Sequence, residues 1–282
     1  MIYSLCIVSS FSFPQKVFYL KYRDILIKYI TNPNPCWGDM VIFETPPNLS
    51  KQEGFYQAMD YFAALMYFQA KSSASIKIYY PIQSPRQGSI VTSTHNGIIE
   101  PMSVLKNVGI QFPEFVIATD TPLQRQLLRL WLSAHATENI YYQNLFYWQI
   151  LVFPDKRDQV AKQFIDEHVA SLDTGHINEK WLKLKEIMSN NPKKQSLGEF
   201  VQNKIKNTIS HFVRENGYTL DVVNLDTMRL FSLSRDLLHY FCLLKLKQII
   251  PDIIANRNTC QILTESQISQ FEKNILSFRN KP

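Results

Sequence analysis

The residues best suited to chemistry lie in one ten-residue stretch, Gln202-Asn203-Lys204-Ile205-Lys206-Asn207-Thr208-Ile209-Ser210-His211. On a helix, Asn207 and His211 stand four apart on one face, and Lys206 and Ser210 stand four apart on the adjacent face. Val201, Ile205, Ile209 and Phe212 point another way, into a core. The result is a polar, cationic rim of Lys204, Lys206, Asn207, Ser210 and His211 beside an apolar stripe. A histidine moves a proton near neutral pH, a nearby cation stabilises charge on phosphoryl oxygens, and an amide orients both. That set is suited to acid–base work on a phosphodiester. The same residues also describe an ordinary solvated helix face.

The flanking charge can be read the same two ways. Lys180, Lys183, Lys185, Lys193, Lys194, Lys204 and Lys206 fall within 27 residues, against Glu179, Glu186 and Glu199. Such a cluster serves as a nucleic-acid footprint or as a solvated helix-loop-helix edge. On the first reading, Lys193, Lys194 and Lys204 are the expected RNA contacts. The whole chain carries 30 Lys+Arg against 24 Asp+Glu, a net charge of +6, so the basic character is local.

Other chemistry finds little support. His135 and Glu138 share a helix end, but no second ligand stands at helical spacing, which favours surface or capping roles. His95, His168 and His176 fall in loop or amphipathic contexts, and His239, near Arg235 and Asp236, has aromatic neighbours that favour packing. With only eight glycines, the chain holds no Gly-rich phosphate loop, and H-E-x-x-H, G-x-S-x-G and calcium-loop patterns are absent. Cys6, Cys36, Cys242 and Cys260 are far apart without C-x-x-C, so reduced thiols in a cytoplasmic protein are expected, with no metal and no cofactor. The apolar run Ile2–Val8 lacks a preceding basic residue and reads as a buried strand, not a secretory signal. No apolar stretch is long enough to predict a membrane span.

These residues need elements to position them, and the pattern predicts an α+β chain that changes character near residue 115. In 1–115, Ile2–Ser9, Met40–Phe43, Ile76–Tyr80 and Ser89–Thr94 read as strands, while Lys16–Ile30 fits helix and strand equally. Ser50 with Glu53 forms a capping box that opens a helix over Gly54–Lys71. In 116–282 the pattern is helical. Thr121-Pro122 with Gln124 opens one helix, and aromatic Ile140–Phe153 is a central one. Asp155–Leu172 and Asn178–Ser189 follow. Ser196 with Glu199 opens the helix that carries Lys206 to His211. Asp226 is expected to cap a long helix through Ile249, and Thr264 with Gln267 opens the last, Glu265–Phe278. Short connections predict mostly antiparallel neighbours in this bundle.

Lys206-Asn207-Thr208-Ile209-Ser210-His211 resembles the R-N-x-x-x-H form of the R-x(4–6)-H signature of the HEPN superfamily. The upstream run Tyr141–Leu151 is similar to the aromatic central helix of the methylamine-utilization MauJ-like and abortive-infection-type HEPN families. The resemblance covers roughly residues 120–250. It implies an all-α domain that pairs two motif helices across a homodimer. In active members it implies metal-independent endoribonuclease activity in toxin or antiviral-defence systems, with a cognate antitoxin or defence partner. In other members catalysis is lost and the domain serves as an interaction module.

On the catalytic reading, His211 is the acid–base, Lys206 the phosphate partner and Asn207 the orienting amide. The chain departs from the signature at Lys206, which stands where the motif has arginine. Lysine keeps the charge but lacks the planar fork that grips two phosphate oxygens. Three readings stay open: Lys206 substitutes at reduced rate, Arg214 contributes, or the site is inactive.

Overall fold

The computed structural model describes residues 1–9, 11–12, 16–31, 39–70, 76–78, 108–109, 121–137, 139–173, 177–191, 194–210, 224–250 and 260–279. The chain is α+β and divides into two compact units, 1–120 together with 252–282, and 121–251. Residues 252–282, grouped with the bundle by the sequence pattern, belong to the first unit.

The first unit is built on an antiparallel six-stranded sheet. Its strands are β1 (Ile2–Ser9), β3 (Val17–Tyr22), β4 (Ile25–Ile30), β5 (Asp39–Glu44), β6 (Ile76–Ile78) and β8 (Cys260–Ile262), in the order β6-β1-β5-β4-β3-β8. Two short strands, β2 (Phe11–Ser12) and β7 (Val108–Gly109), pair in parallel. The ambiguous run Lys16–Ile30 is a hairpin. Its two-residue turn places Arg23 at φ 52°, the left-handed sign that fits the right-handed twist of the paired strands. Asp24 and Gln57 then exchange hydrogen bonds at 3.0 and 3.2 Å, fixing this turn to helix α1 (Lys51–Ala70).

Both faces of this sheet are covered. Ile25, Ile27 and Tyr29 alternate on the face where Tyr22 meets Tyr61 of α1, with ring centroids 5.4 Å apart. On the opposite face Ile2 and Ile42 pack with Leu263, Phe271 and Ile275, the last two on helix α9 (Glu265–Arg279). Lys28 Nζ donates to Glu272 Oε1 at 2.6 Å, and Asn274 Nδ2 to Glu44 Oε1 at 2.9 Å. A sheet covered on both sides needs apolar residues at successive positions, which is why Lys16–Ile30 shows no clean alternation. The expected Ser50–Glu53 capping box is formed, and so is the pairing of Thr264 with Gln267. The strand expected over Ser89–Thr94 lies outside the described residues.

The second unit contains α2 (Pro122–Ala136), α3 (Ile140–Val152), α4 (Asp158–His168), a 3-10 turn (Val169–Asp173), α5 (Asn178–Ser189), α6 (Leu197–Val201), a π-helical turn (Gln202–Lys206), α7 (Asn207–Ser210) and α8 (Leu225–Ile249). The capping boxes of Thr121 with Gln124 and of Ser196 with Glu199 are both present. The cap of α8 is Asn224, whose side chain accepts from Thr227 N at 3.0 Å. Asp226 instead sits inside the first turn, where a negative charge suits the helix dipole.

Helix α2 runs antiparallel to α8, with Gln124 donating to the Ile249 carbonyl and Trp131 stacked on His239. Helices α3 and α8, however, run parallel. Tyr141 meets Phe231, the Cys242 thiol donates to the Tyr147 carbonyl, and Lys245 donates to the Leu151 carbonyl, in rising order along both helices. Some 70 residues separate the end of α3 from the start of α8, so the antiparallel rule for short connections does not govern this pair.

Candidate functional site

The motif helix is held close to its neighbour by a glycine. A Cβ on Gly198 would lie 2.5 Å from the Lys162 carbonyl oxygen and 2.7 Å from its Cα, so α6 approaches the α4 backbone too closely for any other residue. Gly198 N donates to Asp166 Oδ1 at 2.8 Å across the same junction. Leu197, Val201, Ile205 and Ile209 are buried, as the apolar stripe predicts.

Between α6 and α7 the helix widens. Asn207 N donates to the Gln202 carbonyl, five residues back, which is the π-helical bond. The stripe gives a reason. Its residues recur every four positions, and at 3.6 residues per turn such a row drifts by about 40° at each step. A wider turn rotates less per residue and keeps Val201, Ile205 and Ile209 facing the core. The sequence pattern read this stretch as a plain α-helix, and the π turn is the structural correction.

The turn brings Lys206 onto Asp158. Lys206 Nζ donates to Asp158 Oδ2 at 2.8 Å, and Gln202 Nε2 donates to the same oxygen at 3.0 Å. The buried Trp148 indole donates through Nε1 to Asp158 Oδ1 at 2.8 Å. One carboxylate at the start of α4 therefore collects three N–H donors, one from α3 and two from the π turn. Burial pulls the Asp158 carboxyl upward, but the hydrogen bonds from Lys206 and Trp148 outweigh it and hold its pKa below the ordinary value. The Lys206 and Asp158 side chains retain 23% and 31% of their exposure, so the cluster sits at the rim of the bundle.

The other expected site residues divide as follows. Asn207 is half-buried, with Nδ2 3.5 Å from Asn203 Oδ1, one turn back on the same helix. Lys194 and Lys204 are exposed. His211, Lys193 and Arg214 lie outside the described residues. The upstream lysines are internally engaged. Lys180 pairs with Asp236, Lys183 pairs with Glu179 at 2.5 Å, and Lys185 lies over the Trp181 ring at 5.8 Å. Asp158, Gln202 and Trp148 were missed by the sequence reading. Gln202 carried a signal, since it stands four residues before Lys206 on one face, whereas Asp158 is 48 residues away and carried none.

The histidines sit in a second polar cluster. His135 of α2 and His239 of α8 have ring centroids 5.3 Å apart, both against Trp131, and Tyr147 Oη lies 3.5 Å from His135 Nε2. Burial, aided by the nearby His239, pushes the His135 pKa down to about 3, so it is neutral at physiological pH. Its expected neighbour Glu138 lies outside the described residues. His168 Nδ1 pairs with the Phe164 carbonyl at 2.8 Å. A third buried group is Lys245, only 7% exposed, which holds the Leu151 carbonyl at the end of α3 and lies over the Phe164 ring at 5.6 Å. Burial lowers its pKa.

Among the described residues no group of three His, Cys, Asp or Glu side chains is arranged to hold a metal ion. No described helix is long and apolar enough to cross a membrane. Comparison with protein-family models, with curated proteins and with solved structures finds no match.

Proposed function

We propose that residues 121–251 form a HEPN-like helical module that works in the cytoplasm as a binding and assembly domain, paired with a second copy of itself, and does not cut RNA. The observation that carries this reading is the commitment of Lys206. Its ammonium, the cation that would stabilise a phosphoryl group, is neutralised by Asp158 at 2.8 Å in a cluster that also uses Gln202 and Trp148. A lysine without arginine's second donor arm is a weak phosphate clamp, and one already paired with a carboxylate is weaker still. The internal pairing of Lys180 and Lys183 supports the same reading, because those charges face acidic partners of the chain itself.

The second reading is a metal-independent endoribonuclease of a toxin or defence system, with His211, Lys206 and Asn207 as its site and Lys193, Lys194 and Lys204 as RNA contacts. One observation favours it: the π turn ends at Lys206, and such turns recur at functional positions of helices.

Purified full-length protein incubated with RNA in the presence of a chelator separates the two. The expected result is no cleavage that depends on His211. Cleavage abolished by His211→Ala and weakened by Lys206→Ala would overturn the binding-module reading and establish the other. Light scattering tests the assembly, with a mass of about twice the 32.9 kDa chain expected.

A further inference from the structure

The seam between α2 and α8 closes over two imidazoles. His135 of α2 and His239 of α8 have ring centroids 5.3 Å apart. Trp131 packs against both, 4.4 Å from His135 and stacked 4.9 Å from His239. Tyr147 of α3 completes the cluster, with Oη 3.5 Å from His135 Nε2 and its ring 5.6 Å from His239. Both histidines keep partial exposure, so a proton from solvent reaches them without unfolding of the bundle.

A positive charge placed here meets no available counter-charge among the described residues. Burial keeps the Tyr147 phenol and the Cys242 thiol in their neutral forms. Asp236, three residues before His239, is already engaged by Arg235 at 2.6 Å and by Lys180 of α5. Arg235, one turn before His239, carries the same sign as an imidazolium. Burial, with His239 close by, pushes His135 down to about 3. A proton on one ring is therefore unfavourable while the seam is closed, and a proton on each adds repulsion.

The seam between α3 and α8 answers acid differently. Asn144 Nδ2 donates to the Phe231 carbonyl at 3.1 Å, Cys242 Sγ to the Tyr147 carbonyl at 3.2 Å, and Lys245 Nζ to the Leu151 carbonyl. Acid takes a proton from none of these donors. The remaining described histidine, His168, also keeps its bond to the Phe164 carbonyl at 2.8 Å, because an imidazolium donates through both nitrogens. Helix α2 begins its unit, so its departure interrupts no other helix.

We propose that His135 and His239 form an acid-opened joint, at which protonation releases α2 from α8 while α3 and α8 stay paired. The proposal goes beyond the binding-module reading and holds whatever the module binds. Once α2 is released, His135 regains the ordinary imidazole affinity for a proton. By linkage, His135 alone then raises the open fraction about twentyfold between pH 7 and pH 5.

Hydrogen exchange of the full chain, read by mass spectrometry at pH 7 and pH 5 and corrected for the intrinsic rate, tests this. Protection over 122–136 is expected to fall about twentyfold at pH 5, while protection over 140–152 and 237–249 stays unchanged. His135→Phe and, as the milder change, His135→Gln are each expected to shrink the fall. His168→Gln is expected to leave it in place. The proposal is overturned if α2 keeps its protection at pH 5, if α2, α3 and α8 lose protection together, or if the fall survives both His135 variants at full size. The wild-type comparison of helices decides even where a variant fails to fold. Cleavage of RNA dependent on His211 would refute the binding-module reading without touching this result.

Discussion

The two units solve the burial of polar groups in different ways. In the sheet unit, charged pairs such as Lys28 with Glu272 bind the outer helix to the sheet at the margin of an apolar layer. In the helical unit, titratable groups sit between helices: His135 and His239 beside Trp131, Lys245 on the end of α3, and Asp158 beneath Lys206. A helix has polar ends, and side chains from neighbouring helices can reach them. A sheet satisfies its backbone through its own ladder and needs less help. The sheet unit also buries Asp39 and Asp60, and Asp39 accepts from the Tyr29 hydroxyl of the adjacent strand at 2.6 Å, so the units differ in which elements carry the partners of their titratable groups: neighbouring strands in one, separate helices in the other.

The largest effect expected tests the packing side of that contrast. Phe43 is fully buried in the sheet unit, so Phe43→Ala should cost about 3–5 kcal/mol in chemical denaturation. That cost should be the same at pH 7 and pH 5, since no titrating group is removed. A cost that changes with pH would erase the distinction between the units.

The next effect is an acid limb in the helical unit. His135 is neutral in the fold, with a pKa near 3, against about 6.5 in an unfolded chain. The unfolded state therefore binds the extra proton as pH falls. The stability is fully present above about pH 6.5 and is lost as pH drops towards 3, at up to about 1.4 kcal/mol per pH unit. Unfolding followed by circular dichroism between pH 7 and pH 4 should show this limb, and His135→Phe should flatten it. A limb unchanged by that substitution would assign it to other groups.

The smallest effect sharpens the picture at the motif helix. Ser196 caps α6 through Glu199 N at 3.2 Å, so Ser196→Ala should cost about 1 kcal/mol in urea unfolding. It should also leave the acid limb of His135 unchanged, since that histidine lies on α2. A shifted limb would mean that the effect of the cap reaches beyond α6.

Much of this architecture was legible in the sequence because it is written locally. Ser50 with Glu53, Thr121 with Gln124 and Ser196 with Glu199 each mark a helix start within four residues, and each capping pair is formed. The hairpin over Lys16–Ile30 was ambiguous because both faces of β4 are covered and its turn uses Arg23 instead of glycine. The return of β8 and α9 to the first sheet was hidden, since Leu20 pairs with Ile262 across some 240 residues and a three-residue strand has no periodicity to read. At the candidate site, the polar rim and its apolar stripe were legible. The carboxylate that governs Lys206 was not, because it belongs to another helix and nothing in the spacing of α4 marks it.

The wide turn at Gln202–Lys206 has a consequence for how this segment tolerates change in length. A turn that holds one residue more than its neighbours makes the helix a vernier. Removing one residue and closing the turn to an α-helical one would leave the flanking segments facing as they do, because the wide turn already absorbs the extra residue, and Val201 and Ile209 would stay in the core. What would change is which side chains the turn itself presents, since Gln202 and Lys206 reach Asp158 from within it. A single deletion in 202–206 is therefore expected to change which group meets the carboxylate without unfolding the bundle.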